Sequence, residues 1–439
     1  MIVMKFGGTS VGDASRIRNV AKLVKSYFGR KPVVVVSAVT KVTDALTKLA
    51  SEAAQGKGDS TFASIKEMHH GILKELKLSN SLLEKDFQQL EEIFKHTKSL
   101  NHMDAAVMDN FQSFGEQLSS KIVAAQLNSI GVNAKAFNAW ELGLFTDDEH
   151  GNAKPLPKSY ASINKSIKAL KVIPVITGFI GKADDGSITT LGRGGSDYSA
   201  AVIGSAIKAE EIQIWTDVNG VMSTDPRIIS SAKTIPEVSF AEAAELAYFG
   251  ARVLHPKTIL PAMEKNIPLK VLNSFEPENK GTTILPKGVR SKQTVKAIAS
   301  KKNITLINVA STRMLGAYGF LAILFGVFAK YKKSVDVIST SEVSVSLTVE
   351  NGENLEQILA ELRGIGDVSV LKNKAIICAV GEGMKNALDI VGKTFTTLAE
   401  HNINVEMISQ GASKINVTFI VDEHDADKAV KILHKTYFR

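Results

Sequence analysis

The sequence predicts an α/β protein in two unlike parts: a large domain built on a mostly parallel central sheet, then two interleaved copies of a small βαββαβ module. Two observations carry this. Up to about residue 290, nearly continuous β-branched runs alternate with helical patterns, as expected for parallel strands buried on both faces. Beyond about residue 292 short strands and two long helical segments take over, and VDVISTSEVSVSLTV at 335–349 returns as VEMISQGASKINVTF at 405–419, a constant offset of 70 (405 minus 335).

In the first part, IVMKF at the start, PVVVVSA at 32–38, VIPVITGF at 172–179 and EIQIWTDV at 211–218 read as the buried strands. Residues 60–130 read as a largely helical insertion with a polar face. In the second part, copy one runs strand (ITLINVA, 304–310), helix, strand, strand, helix (LEQILAELR), strand (VSVLK). Copy two starts at AIICAV and ends after ADKAVKILHKTY, one strand short. The spare strand VKAIAS, 295–300, can supply that edge. The expected domains are therefore 1–290, then 303–372, then 294–302 joined with 373–439.

Composition narrows the function classes. A chain of 439 residues is too long for one ordinary core, and 44% hydrophobic with 22% charged residues reads as soluble and globular. No apolar run reaches the ~18 to 20 residues of a membrane span, and MIVMKFGG is too quickly interrupted for a signal peptide, so neither membrane nor export is expected and the cytoplasm is. Cys378, the lone cysteine, sits in AIICAV and reads as an inert buried thiol. Lys and Arg number 53 against 45 Asp and Glu, a net +8 that suits anionic ligands. The excess is spread out, with KYKK at 330–333 its densest cluster and no aromatic interleaving, so no nucleic-acid partner is expected.

Two phosphate-loop look-alikes fail. GGTSVG at 7–12 continues with Asp13 where a P-loop needs Lys, and VGKT at 391–394 lacks the upstream glycine and sits mid-helix. KFGGTS is informative in other terms. Lys5 ends a strand, Gly7 and Gly8 permit close backbone approach, and Thr9 and Ser10 can cap the following helix, which together make an anion site or simply a tight turn. LGRGGSD follows another strand. Arg193 offers a planar fork for a carboxylate, Gly194 and Gly195 allow close approach, and Ser196 and Asp197 fall where a helix begins; an internal Arg–Asp pair is the alternative. WTDVNGVMSTDPR at 215–227 turns at Asn219-Gly220 beyond a buried strand, where open α/β sheets place ligands. SFGEQLSS places Glu116 near the start of a helix, and FGARVLHP offers Arg252 to a phosphate. His69 and His70 are adjacent rather than spaced for one metal and read as surface residues, so no metal site is expected.

KFGGTS, SFGE, LGRGGSD, WTDVNGVMSTDPR and FGARVLHP, in this order along the chain and followed by paired modules, resemble the aspartate kinase family of the amino-acid kinase superfamily, most nearly its monofunctional, lysine-sensitive type; the tandem modules resemble ACT domains. The resemblance covers essentially the whole chain. It implies a three-layer α/β sandwich and transfer of the γ-phosphoryl of ATP, with Mg2+ as counter-ion, to the side-chain carboxylate of L-aspartate, the first step towards lysine, threonine and methionine. By the same resemblance Lys5, with Gly7 and Gly8, stabilises the moving phosphoryl group and Asp197 orients Lys5 or the substrate amine. Arg193, with Gly194, Gly195 and Ser196, takes the α-carboxylate, Glu116 the α-ammonium, and Thr43 contacts substrate. Thr9, Thr216, Asp217, Met222, Arg227, Arg252 and Val253 hold the nucleotide; Met222 stands where many relatives have tyrosine, and Arg252 where they have lysine. Effector contacts fall at Met314, Phe320, Leu321, Val335, Asp336, Ser341 and Glu342, with Ala317 where the pattern has serine. The acidic pair Asp336 and Glu342 suits lysine. A homodimer or dimer of dimers is expected.

Overall fold

The structure, a computed structural model, describes residues 1–249, 254, 256–286, 293–316 and 318–438. They divide into two compact units. One comprises Met1–Val221, Pro236–Phe240 and the described part of Val253–Lys287; the other comprises Met222–Ile235 and the described parts of Ala241–Arg252 and Gly288–Arg439.

The strands of the first unit are β1 (Ile2–Phe6), β2 (Pro32–Val36), β3 (Ala134–Phe137), β4 (Ile173–Thr177), β5 (Ile180–Lys182), β6 (Ile188–Thr190), β7 (Ile212–Thr216), β8 (Glu237–Ser239), β9 (Leu269–Asn273) and β10 (Thr282–Leu285). Among the described residues, eight of them form a sheet in the order β3-β4-β2-β1-β7-β9-β10-β8, parallel throughout except between β9 and β10. β5 and β6 make a separate antiparallel hairpin. All five residues of β1, β2 and β4 are buried, which is why their β-branched runs do not alternate. Ile2, Met4 and Phe6 face the helices Ala14–Ser26 and Ala105–Ser129 in one core. Val3 points the other way, towards helix Gly195–Ile207, whose Gly204 comes so near that an added Cβ would lie 2.6 Å from Ile212. Two helical layers thus sandwich the sheet.

The helical stretch at 60–130 is not an insertion. Its last helix, Ala105–Ser129, packs against β2, β3 and β4 and contributes Phe111, Leu118, Ile122 and Val123 to the main core. His69 also departs from expectation: it is fully buried, its Nδ1 bonded to Ile65 O at 2.7 Å, and burial holds its imidazole below the usual histidine range.

The second unit holds β11 (Ala297–Ala310), β12 (Ile338–Thr340), β13 (Ser344–Glu350), β14 (Asp367–Val380), β15 (Met407–Ser409) and β16 (Asn416–Asp422). They form one antiparallel sheet in the order β12-β13-β11-β14-β16-β15. Two long strands explain the interleaving. Residues 304–310 of β11 pair with 367–374 of β14 to complete the first copy, and 297–301 pair with 376–380 to give the second copy its fourth strand. Each copy has its own core, around Leu324, Val345 and Ile358 in one and Phe419, Leu398 and Val430 in the other. Cys378 lies buried in β14, on the face opposite Ala375, Ile377 and Ala379 of that second core, its thiol pushed up to about 12 by desolvation, with Thr418 Oγ1 donating to its sulfur at 3.3 Å.

Candidate active site

The carboxyl ends of β1 and β2 open a cavity of about 660 Å3 in the first unit. It brings together Lys5, Gly8, Thr43, Glu116, Arg193, Gly194, Gly195, Ser196 and Asp197, nine of the residues singled out in the sequence.

The Lys5 loop is built around Gly8 rather than Gly7. A Cβ on Gly8 would sit 3.0 Å from Ala38 O, whereas one on Gly7 would meet nothing nearer than 3.6 Å. The Gly7 amide donates to Trp215 O at 3.0 Å and is therefore not available to a phosphate, which corrects the expectation that both glycine amides point at a ligand. Thr9 and Ser10 do not cap the next helix either. They lie in the 3-10 turn Gly8–Val11, and the cap of Ala14–Ser26 is Asp13, which accepts from Arg16 N at 2.9 Å. Ser10 instead bonds Ser274 Oγ at 2.8 Å.

Opposite, Gly192 and Gly194 adopt φ of 75° and 73°, left-handed values that favour glycine, and a Cβ on Gly195 would strike Phe179 at 2.6 Å. Helix Gly195–Ile207 starts there, with Ser196 and Asp197 in its first turn. Asp197 Oδ1 lies 2.5 Å from Lys5 Nζ, an ion pair without the alignment of a hydrogen bond. Arg193, exposed, pairs with neither Asp197 nor any other carboxylate among the described residues. The alternative of an internal Arg–Asp pair is thus not what forms.

Glu116 is not near a helix start but in the middle of Ala105–Ser129. It is 3% exposed; Oε1 accepts from Ala38 N at 3.1 Å and Oε2 has no partner among the described residues. Burial pushes its carboxyl up to about 8, against the opposing pull of Ala38 N–H, the Lys5 ammonium and the Ser196 hydroxyl. Ala105, Asp109, Gln112 and Glu116 line the cavity at intervals of four, three and four, with Met108 beside Asp109, on one face of that helix.

Asp109 escaped the sequence reading. It is 1% exposed and accepts from Thr190 Oγ1 (2.6 Å), Thr190 N (3.1 Å), Gly151 N (3.0 Å) and His150 Nδ1 (2.8 Å), tying the 150 loop to the strand that leads into LGRGG. Its i−7 spacing from Glu116 was the available signal, and placing Glu116 near a helix start left Asp109 off that helix.

The expected nucleotide residues are less gathered. Thr216 closes β7 beside the Lys5 loop, its hydroxyl donating to Asp217 Oδ1 at 3.2 Å. Met222 and Arg227 belong to the second unit, where Thr234 donates to the Met222 sulfur at 3.4 Å and Asp225 holds Arg227 at 2.5 Å. Arg252, Val253 and Ala317 lie outside the described residues. No group of three or more His, Cys, Asp or Glu converges on a metal position among the described residues.

Residues 1–273 match the amino acid kinase family, and residues 377–437 match an ACT domain. Aspartokinase 1, chloroplastic, of Arabidopsis thaliana is 41% identical over 99% of this chain and 80% of its own length. Lysine-sensitive aspartokinase 3 of Escherichia coli is 37% identical over 100% and 99% of the two chains. The chain belongs to the aspartokinase family. The crystal structure of E. coli aspartokinase III in complex with aspartate and ADP superposes with a TM-score of 0.86 and 34% identity, covering 100% of each chain.

In this aspartokinase fold the residues expected to meet an effector surround the start of helix Phe320–Lys330 and the β12–β13 turn. Phe320 opens that helix, Leu321 is exposed, Met314 ends the preceding 3-10 turn, and Ser341 shares a 2.8 Å hydroxyl contact with Ser344. Val335 is half-buried, its carbonyl accepting from Tyr248 OH at 3.3 Å. Glu342 is exposed, with no ion pair among the described residues, but Asp336 is not open in the same way. Its Oδ1 accepts from Lys301 Nζ and Tyr248 OH, both at 2.8 Å, and Lys301 also reaches Glu350 at 2.9 Å. The second copy repeats the device: Lys374 binds Glu406 at 2.9 Å and Asp422 at 2.5 Å.

Proposed function

We propose that this chain transfers the γ-phosphoryl group of ATP to the side-chain carboxylate of L-aspartate, giving 4-phospho-L-aspartate and ADP, and that lysine inhibits it through the paired ACT modules. The observation that carries the reading is one cavity holding a pinned cation, an uncommitted guanidinium and a buried carboxylate with one unpartnered oxygen. Those three groups match an amino acid with two carboxylates. The Arg193 fork would clamp the α-carboxylate, Glu116 Oε2 the α-ammonium, and the side-chain carboxylate would then point at the Lys5 loop.

The chemistry asks little of a base. A carboxylate with a reference pKa near ~4 is already ionised, so no proton moves; its oxygen attacks the γ-phosphorus while the bond to the β–γ bridging oxygen breaks and ADP leaves with that electron pair. Alignment and charge are the burden. Lys5, held by Asp197, and the Gly8 and Thr9 amides would neutralise the phosphoryl oxygens, an effect commonly worth about 3 kcal/mol per donor. Thr216 and Asp217, at the carboxyl end of β7, would hold the nucleotide from the first unit. Mg2+ would enter with ATP, since the cavity offers no carboxylate cluster of its own and Asp197 is committed to Lys5.

We place the chain in the cytoplasm as a homodimer or dimer of dimers; no helix among the described residues is long and apolar enough to cross a membrane. Hydroxylamine trapping of the acyl phosphate, with aspartate, glutamate and N-acetylaspartate as acceptors and with lysine or threonine added, tests the reading. Turnover on aspartate alone, suppressed by lysine, is the expected result. Equal turnover on N-acetylaspartate would remove Glu116 from the role given it, and no aspartate-dependent product would leave an amino-acid sensor instead.

A further inference from the structure

The second unit contains another cavity, about 610 Å3, between the loop at 228–233 and the final helix Ala426–Tyr437. Among the described residues its charged lining side chains are all lysines. Lys233 enters from the loop, and Lys431 and Lys435, one helical turn apart, enter from the helix. Among the described residues none of the three makes an ion pair and no side-chain carboxylate lines the cavity. All three residues are exposed, so the lining of this one space carries three solvent-accessible cationic side chains.

The cavity floor is ordered. His434 is 8% exposed, its Nε2 bonded to Ser223 Oγ at 3.0 Å, and Ser223 Oγ also accepts from Lys233 N at 3.1 Å. Phe438 stacks on the His434 ring at 4.5 Å and 23°, which supplies a flat apolar wall, with Ile228 and Ile229 beside it. Desolvation, and then the neighbouring Lys233 ammonium, keep the imidazole below the usual histidine range, so at neutral pH it adds a hydrogen-bonding group and not a fourth charge. Ser230 and Ser231 complete the rim with hydroxyl donors.

We infer that this cavity is a binding site for a small phosphorylated anion with a planar or apolar part, separate from the catalytic cavity. Three ammonium groups suit the spread charge of a phosphate or diphosphate as point charges, without the geometric fork a carboxylate prefers. The volume falls within the ~300 to 1,000 Å3 of ordinary small-molecule pockets, and the aromatic wall would stack the remainder of the ligand. The bound anion would rest on the loop that carries Met222 and Arg227.

Titration calorimetry with inorganic pyrophosphate on the full-length protein tests this. Wild type and the K431A/K435A double variant are compared, so uptake elsewhere on the chain contributes equally to both. A saturable transition that weakens about ten-fold or more in the double variant is the expected result, the loss of roughly 1.4 kcal/mol or more from two removed contacts. Ile229→Trp, which fills the cavity and leaves every lysine in place, should abolish the same transition. Superimposable isotherms for the three proteins, or an equal loss on replacing Lys74 and Lys77 in the other unit, would overturn the inference.

Discussion

Lys5 Nζ stands 2.5 Å from Asp197 Oδ1, and Arg193, four positions before that aspartate, is left without an acidic partner among the described residues. The arginine and the aspartate of LGRGGSD are therefore aimed at different things. Asp197, in the first turn of its helix, is steadied by the helix dipole and in turn fixes the lysine; Arg193 stays open at the cavity mouth.

Lys5→Ala should lower kcat by about a thousand-fold with little change in aspartate KM, since the ammonium acts on charge that moves in the transition state. Asp197→Asn should lower kcat by about ten- to a hundred-fold, because Lys5 keeps its charge but loses its anchor. Trapped acyl phosphate under initial-rate conditions measures both. A rise in aspartate KM with unchanged kcat in either variant would move these residues out of phosphoryl transfer.

Arg193→Ala should raise aspartate KM by about a hundred-fold and leave ATP KM nearly unchanged. Arg193→Lys should recover only part, because a single ammonium cannot make the two parallel bonds of a guanidinium. An unaltered aspartate KM in Arg193→Ala would show that the α-carboxylate lies elsewhere.

Glu116 predicts a pH signature of both binding and stability. With its folded pKa raised to about 8, it is largely neutral in the empty site at pH 7 and must ionise to receive an ammonium. Aspartate affinity should therefore rise as pH increases through about 8, and that rise should vanish in Glu116→Gln. The stability consequence has the opposite sense. The folded state holds this proton more tightly than the unfolded chain, so the group's contribution is fully present below its unfolded pKa and is lost as pH rises towards 8. Glu116→Gln should raise Tm relative to wild type by about 2 °C or more at pH 8.5 and by less at pH 5. Parallel Tm profiles for the two proteins would exclude the raised pKa.

Asp109→Asn should raise aspartate KM without removing activity, and Asp109→Ala should destabilise the fold by about 3 kcal/mol, because four donors then lose a buried acceptor. The KM change separates positioning from bulk stability: urea midpoints that shift with no change in aspartate KM would make Asp109 purely structural.

Why Glu116 was recognisable and Asp109 was not follows from where their partners lie. The strands were legible because burial on both faces leaves an unbroken β-branched run, as in Pro32–Val36. The repeat was legible because it is counted in sequence, and its missing strand forced the pairing of 297–301 with 376–380. Asp109 is defined by groups 41, 42 and 81 residues away, which no local pattern encodes. Helix Ala105–Ser129 hid itself for a related reason: Ser113, Glu116, Gln117, Ser119 and Ser120 are all buried, so polar residues face inward and blur the apolar period. The Lys5 loop misled in detail because Gly7 and Gly8 look alike in sequence, while only Gly8 faces a backbone oxygen at 3.0 Å.

Asp336 and Glu342 should respond differently although both read as acceptors for a cationic effector. Asp336 is already held by Lys301 and Tyr248, and its removal strands a half-buried ammonium that only the exposed Glu350 then balances. Asp336→Ala should therefore lower Tm and change lysine inhibition together. Glu342 is exposed and makes no ion pair among the described residues, so Glu342→Gln should weaken lysine inhibition by about ten-fold at unchanged Tm. Lysine titrations of aspartate-dependent turnover, paired with thermal melts, distinguish the two. Full lysine sensitivity in Glu342→Gln would remove Glu342 from the effector site, and a lost response with unchanged Tm in Asp336→Ala would make Asp336 a direct contact whose pairing with Lys301 the effector displaces.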